Sequence, residues 1–174
     1  MSKKVQKATH SGTLKIGNSE IPCYVLEDGQ RILSTRGIMK SLGRRWRGAR
    51  AGTKYPAFLQ ANNLIPYINK DIDPVLAPQK FKTDKGVLSD GYKADILPIV
   101  CEIYLQGRDD KVLTAVQQAI AKKCDILVRG FARIGIIALI DEATGYQAFR
   151  SRQALEKILD EFLFNLFFAE RKPP

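Results

Sequence analysis

The stretch TLKIGNSEIPCYVLEDGQRILSTRGIMKSLG, residues 13–43, changes its period once, and that change sets the expected fold. Its first two thirds place Leu14 and Ile16 among polar neighbours and then carry a β-branched and aromatic bias through Ile21, Tyr24 and Val25. Gly17-Asn18 and Asp28-Gly29 stand between these runs, where Gly and Asn accept positive φ at little cost. A small antiparallel β-meander follows from that pattern. After Leu33 the spacing becomes helical. Ser34 is a suitable N-cap, Ile38, Met39 and Leu42 form an apolar stripe, and Gly43 is a suitable stop.

Working outward toward the N-terminus, residues 1–11 carry Lys3, Lys4 and Lys7 with almost nothing to bury, so a flexible basic arm is expected there. On the other side, YPAFLQANNLIPYI (55–68) predicts a short helix starting at Pro56 and ended by Asn62-Asn63. QKFKTDKGVLSDGYKA (79–94) reads as a second hairpin with TDKG as its turn. Beyond Tyr92 the periodicity is helical. Ile96, Ile99, Val100, Ile103 and Tyr104 share a face, with Pro98 tolerated in the first turn. A long helix is expected from Val112 to Ala143, bent near Gly130 or Gly135 and stopped by Gly145. Its IGIIALI segment, apolar all round, is expected to be the most buried of the chain. Leu155, Ile158, Leu159, Phe162, Leu163, Leu166 and Phe167 define a final amphipathic helix. The expected fold is α+β: a small antiparallel β-hairpin/meander N-terminal part packed on a mostly helical C-terminal part. A basic arm at 1–11, a β-rich basic lobe at 12–91 and a helical lobe at 92–174 share one core.

The most unusual composition lies just after the first helix. Between Arg36 and Lys54 stand Arg36, Lys40, Arg44, Arg45, Arg47, Arg50 and Lys54, with no acidic residue. Gly43, Gly48, Gly52 and the single tryptophan, Trp46, are set among them. Arginine forks suit phosphate oxygens and base edges, and glycine lets backbone approach a ligand closely. Trp46 could stack on an unpaired base or wedge into a groove. The alternative is a solvated loop with Trp46 folded back on the core. The lack of any compensating acid favours the first reading, since solubility alone is served by mixed signs.

The rest of the composition agrees with an anionic partner. The 174 residues carry a net charge of +10 and a pI near 9.6, with 45% hydrophobic residues, enough for one folded core. DNA is the expected partner. The basic, polar start lacks the apolar run of a signal peptide, and no stretch approaches a membrane span, so a cytoplasmic protein without membrane association is expected. Catalytic machinery is not visible. His10, the sole histidine, falls in the expected arm, and Asp141 and Glu142 are helix neighbours that diverge. Cys23, Cys101 and Cys124 have neither zinc nor disulfide spacing, and Cys101 and Cys124 fit buried apolar patterns. No phosphate-loop or dinucleotide fingerprint occurs. No enzyme activity, metal or cofactor is expected. The last helix has more aromatic surface than one packed face needs, making Phe162, Phe164, Phe167 and Phe168 candidates for a homodimer seam, with Phe164 and Phe168 off the main stripe.

Two strings also resemble a family. ATHSGTLKIGNSEIPCYVLEDGQRILSTRGIMKSLGR (8–44) and GFARIGIIALIDEATGYQAFRSRQALEKILDEF (130–162) are similar to the amino-terminal part of phage and prophage proteins that carry the P-sixty-three C-terminal domain. GIIALIDEATGYQ is the most specific string. The resemblance implies kinship with the shuffled regulatory modules of DNA phages, alongside the BRO and KilA types. It implies a DNA-binding β-hairpin-and-helix unit followed by a helical part for partners or oligomerisation. It supplies no catalytic residues. Family members continue into a further domain, whereas this chain stops after LFNLFFAERKPP. The expected function is therefore a phage-type DNA-binding regulatory module without catalytic activity. The alternative is a non-catalytic inhibitor or regulator that binds a host protein complex, such as a defence nuclease, through its helical part.

Overall fold

The computed structural model describes residues 5–16, 19–45, 54–146 and 154–168, the side chains of Lys70, Phe167 and Phe168 excepted. Its architecture is α+β, as expected. The strands are β1 (Gln6–Ile16), β2 (Ser19–Leu26), β3 (Arg31–Ser34), β4 (Gln79–Lys82) and β5 (Leu88–Lys93). Helices α1 (Thr35–Ser41), α2 (Asp73–Leu76), α3 (Ile96–Asp109), α4 (Ala115–Thr144) and α5 (Ala154–Phe168) interleave with and follow them.

The strands close on themselves in the order β1-β2-β3-β5-β4. Four pairings are antiparallel. The fifth, β1 with β4, is parallel and short, joining Gln6 to Phe81 and Lys7 to Lys82. Alternation along each strand then separates two apolar sets. Ala8, Leu26, Ile32 and Phe81 fill the small interior, with Tyr24 against Phe81 at 4.9 Å between ring centres. The neighbouring Leu33 and Tyr92 point the other way, into a larger core shared with α1, α3, α4 and α5. β3 is thus buried on both sides. At the β3–β5 seam a side chain on Gly91 would put its Cβ 2.4 Å from the Leu33 carbonyl oxygen, so the pairing requires glycine.

Local chemistry accounts for the helices. Thr114 caps α4: its Oγ accepts from the Gln117 amide while the Gln117 side chain accepts from the Thr114 amide. Gly145 ends α4 in the left-handed conformation, φ 73°, as the sequence predicts. Pro98 falls in the first turn of α3, where no intrahelical amide partner is lost. Cys101 and Cys124 are fully buried where α3 meets α4. Among the described residues no helix is long and apolar enough to cross a membrane.

Three expectations need correction. The segment read as a flexible arm is strand from Gln6 onward. Between Gln6 and Ser11 only Ala8 is buried, so backbone pairing with β2 and β4 holds this part, not apolar alternation. No helix begins at Pro56. The chain makes tight turns there, and the one regular piece is a 3-10 turn at Ile65–Tyr67. Phe58, Leu59 and Leu64 plug the core, while Asn63 is held to Gln117 and the Val112 carbonyl. Finally, IGIIALI is not the most buried segment, since Ile136, Leu139 and Ile140 are 55%, 63% and 54% exposed. A 30-residue helix is about 45 Å long and outruns the core, which is fed by its first half through Gln117, Ile120, Ala121, Cys124 and Leu127. Helix α4 runs continuously through Gly130 and Gly135.

Candidate nucleic-acid interface

The site starts from α1. Its N-terminus is capped by Ser34, whose Oγ accepts from the Gly37 amide at 3.1 Å. Gly37 is needed because a Cβ there would come within 2.9 Å of Ile21 and Pro22 on β2. That close approach buries Thr35, Gly37, Ile38, Met39 and Ser41. Only Arg36 and Lys40 of this helix remain exposed, one turn apart. Like charges at this spacing destabilise a helix by about 0.2–0.5 kcal/mol.

At the other end the Gly43 amide donates to the Lys40 carbonyl at 2.9 Å and the Arg44 amide to the Met39 carbonyl at 2.8 Å. With φ 72° at Gly43 this is a Schellman ending, and it releases the chain directly into the basic passage. Lys123 of α4 lies over the same turn: a Cβ on Gly43 would sit 2.5 Å from its Nζ. A cation there complements the carboxyl end of α1. Sequence reasoning missed Lys123, because nothing in AIAKKCD announces that this turn of α4 meets α1.

The sequence-predicted cations divide into three groups. Arg36, Lys40 and Arg45 are exposed. Arg44 is exposed but engaged: its guanidinium donates to the Ala57 carbonyl at 3.3 Å and reaches the Tyr104 hydroxyl. That hydroxyl in turn donates to the Phe58 carbonyl at 2.8 Å. Burial raises the Tyr104 pKa, and Arg44 works in the opposite direction. Lys54 lies over the Tyr55 ring, 5.0 Å from its centre. The Tyr55 contact, with Asp73 nearby, holds the ammonium pKa above its ordinary value. Trp46, Arg47 and Arg50 lie outside the described residues. Among the described residues none of Arg36, Lys40, Arg44, Arg45, Lys54 and Lys123 has a carboxylate within ion-pair distance. This end of the fold can therefore attract phosphate oxygens.

The proposed aromatic seam is less uniform. Leu159 and Leu163 of α5 are buried, and Phe162 is half-buried under the Arg133 guanidinium at 5.6 Å from the ring centre. Phe164 is 61% exposed, whereas the side chains of Phe167 and Phe168 lie outside the described part. Among the described residues no group of three or more His, Cys, Asp or Glu could hold a metal ion. Comparison with known proteins finds no matching family model, no matching curated protein and no matching solved structure.

Proposed function

We propose that the chain is a DNA-binding regulatory module of the phage type, without catalytic activity, that grips phosphates from the exposed side of α1 and the basic passage behind it. One observation carries this reading: the solvent face of α1 consists of Arg36 and Lys40 alone, neither with a carboxylate in ion-pair distance among the described residues. A fold that keeps like charges at that spacing and adds Lys123 and Arg45 beside them gives up a little stability for a positive surface. Arg36, Lys40, Arg45, Arg47, Arg50 and Lys54 would contact phosphates, and Trp46 would stack or wedge. Arg44 would chiefly hold the passage on the core.

The test is duplex binding across a salt series by the wild type and by an Arg36→Gln/Lys40→Gln/Arg45→Gln variant. Each lost phosphate contact should lower the log–log salt slope by about 0.9. A wild type that does not bind at low salt, or a variant with an unchanged slope, overturns the reading.

A second reading has its own observation. Ile136, Leu139 and Ile140 leave an apolar stripe on the outer half of α4, and Phe164 of α5 is exposed as well. Such a stripe suits a protein partner, whether a host complex or a second copy. An Ile136→Asn/Leu139→Asn variant that loses a salt-resistant complex, or changes the mass by light scattering, supports this reading. A wild type that stays monomeric and captures no salt-resistant partner removes it.

A further inference from the structure

A second group of cations lies on the barrel. Lys7 of β1 and Lys82 of β4 are register partners at the parallel seam, and Lys80 precedes Lys82 by one full strand repeat. All three are exposed, while Phe81 between the two β4 lysines points into the barrel and is fully buried. The alternation therefore puts Lys7, Lys80 and Lys82 on one outer face. Neighbouring strands run about 4.8 Å apart, so Lys7 and Lys82 are like charges side by side. None of the three has a carboxylate within 4.0 Å among the described residues.

This face joins the α1 surface through contacts of the fold. Lys80 is the register partner of Asp90 on β5, and the Asp90 carboxylate accepts from the Thr35 hydroxyl at 2.8 Å. Thr35 immediately precedes Arg36. A continuous path thus runs from Lys7 and Lys82 through Lys80 and Asp90 to Arg36, Lys40 and the Gly43 turn. Acids border it as well. Asp90 accepts from Thr35, and Asp84, in the hairpin turn, accepts from Ser11 at 2.8 Å. The exposed Glu27 donates its amide to the Lys7 carbonyl at 3.1 Å, and among the described residues no carboxylate comes within 4.0 Å of the three lysines. From strand and helix repeats the path has a contour of roughly 30 Å, close to one turn of B-form duplex at about 34 Å.

We infer that Lys7, Lys80 and Lys82 form a second phosphate-contacting strip that extends the α1 surface into a track for about one turn of duplex DNA. The inference rests on the DNA-binding reading and adds a place where the backbone continues. The strip makes contacts without reading sequence, because surface ammonium groups engage phosphates as point charges. Its role also explains why a short seam of two residue pairs, the one closing the barrel, carries two adjacent lysines.

The experiment compares the wild type, a Lys7→Gln/Lys80→Gln/Lys82→Gln variant and the Arg36→Gln/Lys40→Gln variant on a fluorescent duplex of two turns, over a salt series. The barrel variant should bind more weakly at low salt and show a log–log slope shallower by about 2–3. It should fold, and removing the side-by-side charges should raise Tm at low salt by about 1–3 °C. If the α1 variant weakens binding and the barrel variant leaves affinity and slope unchanged, the strip is refuted while the DNA reading stands. If the wild type does not bind the duplex, both fall. If the barrel variant loses binding only to vesicles containing phosphatidylserine, the strip serves a lipid surface and the proposal is overturned.

Discussion

Tyr104→Phe removes one oxygen from the core and tests how the basic passage is anchored. The Tyr104 hydroxyl is fully buried, donates to the Phe58 carbonyl at 2.8 Å and meets the Arg44 guanidinium. Phe58 is itself 1% exposed, so water cannot replace the lost donor without opening the core. The ring remains, which keeps the cavity term small. What is left is a buried unsatisfied carbonyl, with an expected loss of about 1–3 kcal/mol. For a chain of this size that corresponds to a Tm lower by roughly 3–10 °C. Urea unfolding followed by circular dichroism should show a lower midpoint with an unchanged slope. Arg44→Gln alone should lose less, about 1 kcal/mol or under, because the guanidinium is exposed and bonds at 3.3 Å. The two changes should combine less than additively, with a coupling of about 0.5–1 kcal/mol. Unchanged stability in Tyr104→Phe, or strict additivity, would refute the anchoring role.

Three further outcomes follow from the packing. Gly91→Ala should prevent the barrel from closing, since its Cβ would meet the Leu33 carbonyl oxygen at 2.4 Å; a loss on the order of 3 kcal/mol or more is expected, read by denaturation, and a native-like midpoint would contradict it. Burial, with Asp90 adding to it, pushes the Tyr92 pKa up to about 12. A raised phenol favours the folded state fully below the unfolded value, and that contribution is lost as pH rises through the folded one. Stability should therefore fall from about pH 10 upward, and less steeply in Tyr92→Phe. Thiol titration of the native protein should find Cys23 slow, because burial raises its pKa, and Cys101 and Cys124 inert until unfolding. The contact with Cys124, and then burial, hold the Cys101 pKa well above the thiol range. Rapid labelling of all three would contradict that arrangement.

What was legible in the sequence was local. Ser34, Gly43 and Gly145 sit where helix ends need their chemistry, and the TDKG hairpin turn follows from residues in contact along the chain. The errors arose where a distant partner decides. Phe58, Leu59 and Leu64 have apolar patterning compatible with a helix, yet the Tyr104 hydroxyl and the Asn63–Gln117 pair stabilise turns instead. Residues 6–11 lack an apolar face and are held by strands more than ten residues away. Ile136, Leu139 and Ile140 are apolar, but their patterning does not say whether the chain supplies a cover. The same division holds for the candidate site. Arg36 and Lys40 were visible because α1 was visible, whereas Lys123 and the Lys7–Lys82 neighbours join the surface only through the fold.

The most direct measurement of the central claim is the affinity of the wild-type chain for duplex DNA as salt is raised from about 50 to about 200 mM. Five or more phosphate contacts predict a log–log slope of about −4 to −5 or steeper, a loss of several hundred-fold over that range. Absence of binding at low salt, or a slope shallower than about −1, would contradict it.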